Sequence, residues 1–130
     1  MKSVTGMPLL LVACLQLAAC GHAASFNNLG SVKVTSSGHD DGSDFCADFK
    51  LSAEQAILFF ARARPITSSE LHEGPDYLPC WVRGTAINEA GRSQWEIRAG
   101  GTATLMLPDG TVQSFACTDC DDLLGSEAEN

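Results

Sequence analysis

Basic residues are scarce in this chain. Eight Lys and Arg stand against 16 Asp and Glu in 130 residues, for a formal net charge of -8. Binding a polyanion takes clustered cations that displace counterions, so nucleic acid is disfavoured as a partner, and so is a purely electrostatic grip on anionic lipid. Long apolar runs are missing as well. The stretch Leu9 to Ala19 is shorter than the about 20 residues a membrane-crossing helix needs, and no later segment is long enough. Only one Cys-x-x-Cys occurs, Cys117 to Cys120, and the other cysteines are isolated, which is not the spacing of a zinc site. His22 and His39 stand at no ligand spacing and read as solvated side chains. Asp40, Asp41, Asp44 and Asp48 lack the ligand alternation and closing glutamate of an EF-hand loop and read as acidic surface, so no metal is expected. No nucleophile elbow frames any serine.

What the sequence does contain begins at its N-terminus. Lys2 precedes the apolar stretch, and the stretch ends in Leu17-Ala18-Ala19-Cys20. A short charged-then-apolar leader closing on small residues is a targeting segment, cut off rather than kept. Leu17-Ala18-Ala19-Cys20 resembles the lipobox of bacterial lipoprotein precursors. The resemblance implies that residues 1–19 are a signal peptide and that Cys20 receives diacylglycerol on its sulfur and an N-acyl chain of the palmitate class. Each buried methylene contributes about 0.8 kcal/mol, so two or three chains hold a protein to a bilayer stably where one does not. Gly21 follows Cys20 where an aspartate would retain such a lipoprotein in an inner membrane. The resemblance therefore implies a cell-envelope location, in the outer membrane facing the periplasm if the host is Gram-negative.

This placement governs the remaining cysteines. Cys14 leaves with the leader and Cys20 takes lipid, so Cys46, Cys80, Cys117 and Cys120 remain. In an oxidising envelope they read as two disulfides, each worth about 2 to 4 kcal/mol. That suits a small domain with a poor surface-to-volume ratio. A redox role for Cys117 and Cys120 is disfavoured because Asp119, Asp121 and Asp122 oppose a thiolate.

Residues 20–43, rich in Gly, Ser, Asn and Asp, read as a lipidated tether, within which Val32 and Val34 alternate as in one short strand. Ser52 and Gln55 form a capping box that opens a helix, Ala56, Phe59, Phe60 and Ala63 share its apolar stripe, and Pro65 ends it. Thr67 and Glu70 suggest a second capped turn reaching His72. From Cys80 the period becomes two. Cys80 to Asn88 reads as one strand, a loop at Glu89 to Arg92 follows, and Trp95 to Leu107 alternates without a break as one central strand. Pro108-Asp109-Gly110 then turns the chain into Thr111 to Cys117.

With a four-residue first loop, Val82, Gly84 and Ala86 face Ala99, Ile97 and Trp95, Arg83 turns outward near Arg98 and Glu96, and Trp81 covers Gly100. Cys80 and Cys117 then lie two strand spacings apart, nearly 10 Å, too far to be bridged. Two pairings remain open: Cys46 with Cys80 and Cys117 with Cys120, or Cys46 with Cys117 and Cys80 with Cys120. The expected fold class is α+β: one amphipathic helix on a small antiparallel meander of three to four strands, disulfide-stapled, over residues 44–122, with an acidic tail at 123–130.

For function, the outward Trp81, Arg83 and Arg98 are the candidate partner-binding residues, because tryptophan and arginine anchor interfaces. They point to a non-catalytic protein that binds another envelope protein or peptide, as an inhibitor, immunity factor or assembly factor, with no cofactor beyond its lipid. The plainer alternative for the trio is cross-strand support over a bare glycine. A second functional class is a small hydrolase using His72, with Glu70, Glu73 or Asp76 and Ser68 or Ser69 nearby in sequence. A thiol-redox protein using Cys117 and Cys120 is a third.

Overall fold

The computed structural model describes residues 29–40, 44–73 and 78–125. The leader, the lipobox and Cys20 lie outside the described residues, as do Gly74 to Tyr77 and the last five positions. Among the described residues no helix is long and apolar enough to cross a membrane.

Six antiparallel strands form one sheet: β1 (Ser31–His39), β2 (Arg64–Ile66), β3 (Cys80–Asn88), β4 (Gly91–Arg98), β5 (Thr102–Met106) and β6 (Val112–Ala116). Their order across the sheet is β1-β3-β4-β5-β6-β2. Among the described residues three short α-helices accompany them, α1 (Ala53–Arg62), α2 (Ser68–Glu73) and α3 (Asp121–Leu124), with a 3-10 turn at Asp44–Asp48 that carries Cys46. The expected meander is present as β3 to β6. The expectation of one helix on three or four strands is corrected to a mostly-sheet domain, because β1 and β2 add an edge on either side.

Helix α1 forms for local reasons. Ser52 Oγ accepts from the Gln55 amide at 3.1 Å and Gln55 Oε1 accepts from the Ser52 amide at 2.9 Å, which satisfies two of the donors a helix start leaves open. Its apolar stripe buries Ala56, Phe59 and Phe60. The Phe60 ring meets Phe59, Phe115 and Trp95 edge-to-face at centroid distances of 5.6, 5.6 and 6.3 Å, the arrangement that ring quadrupoles favour. Pro65 prevents continuation and enters β2, where a missing N–H is tolerated because that strand is an edge.

The stretch Trp95 to Leu107 is two strands rather than one. The chain reverses at Ala99-Gly100-Gly101, with Gly101 at φ 92° and its amide donating to Arg98 O at 3.0 Å. In the hairpin Trp95 lies opposite Leu105 and Ile97 opposite Ala103, so odd-numbered residues face the core in both arms. A reversal about Gly100 therefore leaves the alternation unbroken.

The β3–β4 connection is also tighter than expected. Asn88 pairs with Gly91 across a two-residue turn, and Asn88 Oδ1 accepts from the Ala90 amide at 2.8 Å. The register slides by two, which keeps every side chain on its expected face: Val82 opposes Ile97, Gly84 opposes Trp95, and Trp81 opposes Arg98 instead of Gly100. Gly84 is obligatory here, because a Cβ would run into the Trp95 ring and Lys33 O. The Pro108-Asp109-Gly110 turn has the expected three residues, with Asp109 Oδ1 accepting from the Thr111 amide at 2.9 Å.

Both disulfides form, in the first of the two open pairings. Cys46 joins Cys80 with Cα atoms 5.1 Å apart, and Cys117 joins Cys120 at 5.7 Å. The extra reversal places β4 and β5 between Cys80 and Cys117, so three spacings, about 14 Å along the sheet, separate them rather than two. Strand β1 lies inside the stretch read as tether, and Leu123 on α3 is buried inside the stretch read as tail. Both belong to the folded unit.

Candidate functional site

Strand parity builds the site. On β3 the even residues point into the core, so Trp81, Arg83 and Thr85 emerge on the opposite, outer face, and the β4 register sets Arg98 and Glu96 beside the first two. Trp81 lies across Gly38 of β1, where a Cβ would come within 2.6 Å of the indole. The Arg83 guanidinium carbon sits 3.7 Å from the indole ring centroid, a cation–π contact. Arg83 Nε donates to Glu96 Oε2 at 2.7 Å, Glu96 Oε1 accepts from Arg98 Nε at 2.9 Å, and Arg98 Nη1 donates to Asp40 Oδ2 at 2.9 Å. The result is one chain of contacts, Trp81–Arg83–Glu96–Arg98–Asp40, running across three strands.

The three sequence-predicted partner-binding residues are thus brought together, but they are not equivalent. The Arg98 side chain is only 15% exposed and is held between two carboxylates, whereas Arg83 is 47% exposed. Arg98 organises the ladder and Arg83 presents its outer surface. Trp81 Nε1 is shielded from solvent and has no acceptor among the described residues, so the ring rather than the N–H is what the fold uses. Glu96 and Asp40 were not singled out as site residues. The sequence register already places Glu96 near Arg83 and Arg98, but Asp40 becomes relevant only once β1 is known to pair with β3.

Helix α2 begins with the expected cap, Thr67 Oγ1 accepting from the Glu70 amide at 3.1 Å, and packs beside β6, with Leu71 and His72 facing the same outer surface of β4 and β5 across a cleft. Leu71 and His72 on the helix and Glu96, Arg98, Thr102 and Thr104 on the strands enclose a small cleft of about 70 Å³. His72 therefore borders the arginine ladder. It is exposed, and the hydroxyls that line the cleft with it are threonines; Ser68 and Ser69 do not line it. Glu70 is spent on the Thr67 amide and on Arg64, 3.6 Å away. The Glu73 side chain and Asp76 lie outside the described residues. Among the described residues the cleft brings a histidine beside Glu96, a carboxylate already paired with Arg83 and Arg98, and no serine lines it.

The Cys117–Cys120 region is built differently. Cys120 is fully buried, and Asp119 Oδ1 stands 3.3 Å from the Cys117 sulfur. Cys117, Asp119 and Cys120 present their ligand atoms within 4.8 Å of one another, yet the disulfide consumes both thiolates a soft metal would need. Arg62 Nη1 fastens this segment to α1 through Asp122 Oδ1 at 2.7 Å and Asp119 O at 3.3 Å. The Arg62 hydrogen bond holds the Asp122 carboxyl below its ordinary range, and the Asp122 hydrogen bond in turn raises Arg62.

No model of a known protein family matches this chain, and no curated protein and no solved structure matches it either.

Proposed function

We propose that this chain is a cell-envelope lipoprotein, anchored through acyl chains on Cys20, whose disulfide-stapled domain binds another protein or peptide without catalysis, as an inhibitor, immunity factor or assembly factor. The lipobox resemblance supports the anchor and its outer-membrane address in a Gram-negative host. Pairing of Cys46, Cys80, Cys117 and Cys120 in two bridges suits an oxidising compartment. The single observation that carries the binding reading is the Trp81–Arg83 stack on the outer face of the sheet, its guanidinium exposed and its orientation set by Glu96. A rigid aromatic ring under an oriented arginine is the kind of pair that concentrates binding energy.

The hydrolase reading keeps one supporting observation, the cleft beside His72, and no serine or cysteine among the described residues lines that cleft. The redox reading is weaker, since attack on a disulfide requires access and the Cys120 sulfur is buried.

The test uses the full-length protein in membranes. Intact mass should show acylation at Cys20, and Cys20→Ser should release the protein from the membrane fraction. Trp81→Ala and Arg83→Ala, checked for native thermal unfolding, should each lose the co-purifying partner, with a binding loss of about 2 kcal/mol or more. Retention of the partner at full affinity by both variants would sink the reading. His72→Ala should leave capture unchanged.

A further inference from the structure

The two edges of the sheet differ. Strand β2 is three residues long and contains Pro65, so it offers little to a further strand. Strand β1 is nine residues long, exposed along most of its length, and has no neighbour on its far side among the described residues. Such an edge is a row of backbone donors and acceptors ready for another chain.

We propose that β1 accepts an extended, acidic polypeptide as an added strand. This deepens the reading of the domain as a polypeptide binder and rests on it. Three observations identify the occupant.

The side chains of an added strand alternate between faces, and each face of β1 offers a distinct setting. On the outer face lie Lys33, opposite Thr85, and the Trp81 ring over Gly38. On the inner face, beside a bulge between Val34 and Ser36, a groove of about 210 Å³ is lined by Val34, Thr35, Ser37, Lys50 and Leu51. The second observation is charge. Lys33 and Lys50 are the only lysines after Lys2. Whereas four of the five arginines, Arg62, Arg64, Arg83 and Arg98, are paired with carboxylates, neither lysine forms an ion pair among the described residues. A strongly acidic protein thus keeps two uncommitted cations on either face of its open edge, complementary to carboxylates on both faces of an incoming strand. The third is what those lysines discourage. Two copies paired β1 to β1 would place carboxylates of neither copy against the lysines of the edge and would bring together chains of net charge -8 each. Edge lysines and bulges are common guards against indiscriminate pairing, and here they select for an acidic strand.

The probes are a peptide of alternating glutamate and valine, its lysine-for-glutamate counterpart, and the acidic peptide N-methylated on alternate amides in either phase. Hydrogen exchange is followed on the whole chain. The acidic peptide should bind and protect those amides of Val32 to Ser37 that point away from β3. The lysine peptide should bind roughly tenfold more weakly, and so should the acidic peptide to a Lys33→Glu, Lys50→Glu variant with unchanged thermal unfolding. Methylation in one phase should abolish binding and in the other leave it, since only alternate amides of an added strand face β1.

Equal binding of both charges, indifference to methylation in both phases, or no binding of any probe overturns the proposal. Protection confined to Trp81 and Arg83 overturns the edge assignment while leaving the binding reading, which partner capture by the anchored Trp81→Ala protein judges separately. Protection, already present in the free chain, of the β1 amides that do not face β3 also overturns it. A doubled mass in sedimentation would then assign the edge to a second copy, and loss of that protection on deleting residues 126–130 would assign it to the chain's own tail.

Discussion

The edge strands β1 and β2 are both tied down near a disulfide, but by opposite means. Beside β1, the Cys46–Cys80 bridge joins positions 34 residues apart and pins the turn after β1 onto β3. Beyond β6, which carries β2, the Cys117–Cys120 bridge spans a sequence separation of three, and the segment is held by burial of Cys120 and Leu123 in the core and by the Arg62–Asp122 pair. β1 is long, polar and open, whereas β2 is short and closed by Pro65. β1 thus keeps its outer edge open because its other edge is laddered to β3 over eight residue pairs and a long-range covalent link fastens the end of that pairing, with little burial of its own side chains.

The comparison breaks down altogether if the shared core fails. Phe60 contacts Phe59, Trp95 and Phe115 and is 1% exposed. Phe60→Ala should cost about 3 to 5 kcal/mol, and both edges should lose hydrogen-exchange protection in one transition. If β1 unfolded separately from β6, the sheet would not be one cooperative unit.

How much of this was legible depends on range. Helix α1 could be read from Ser52, Gln55 and the Phe59–Phe60 stripe because every determinant lies within one local segment. The Pro108-Asp109-Gly110 turn was readable for the same reason. The Gly100–Gly101 reversal was missed because alternation reports which face a residue takes, not which strand it is in, and a hairpin that preserves parity is invisible to it. β1 was only half seen: SVKVTSSGH carries two valines and otherwise polar residues, since an exposed edge needs little apolar surface. Trp81, Arg83 and Arg98 were found together because a register error of two residues does not change faces. Glu96 was legible beside them for the same reason, whereas the last step of the ladder, from Arg98 to Asp40, required the β1 pairing.

The two bridges sharpen the comparison at intermediate cost. In the chain-entropy account, closing 34 residues is worth about 4 kcal/mol and closing three about 2 kcal/mol. The Cys46→Ala, Cys80→Ala double variant should therefore be the less stable by roughly 2 kcal/mol in denaturant melts, with β1 amides exchanging fastest. Equal losses, or a larger loss from Cys117→Ala with Cys120→Ala, would mean that local geometry rather than loop length sets what each bridge contributes.

Acid should separate the two sides by the smallest margin and with a defined sign. The Asp122 carboxyl is depressed from its ordinary value of 3.8, first by the Arg62 hydrogen bond. A depressed folded-state value stabilises the fold above the unfolded value and loses that contribution as pH falls through the folded one. Below pH 3.8 the α1–α3 clamp should therefore loosen, seen as faster exchange at Leu123 and Leu124, while the β1 amides keep their rates relative to the rest of the sheet. The pair is solvent-exposed, so the effect should weaken with salt. Asp109, depressed by the Thr111 amide, titrates with the same sign in the β5–β6 turn, so a global pH trend does not isolate the clamp. Asp122→Asn does: it should abolish the pH dependence at Leu123 and Leu124 and leave that at Thr111 intact. If both responses survived the substitution, Arg62 and Asp122 would not be what fastens α3 to the helix.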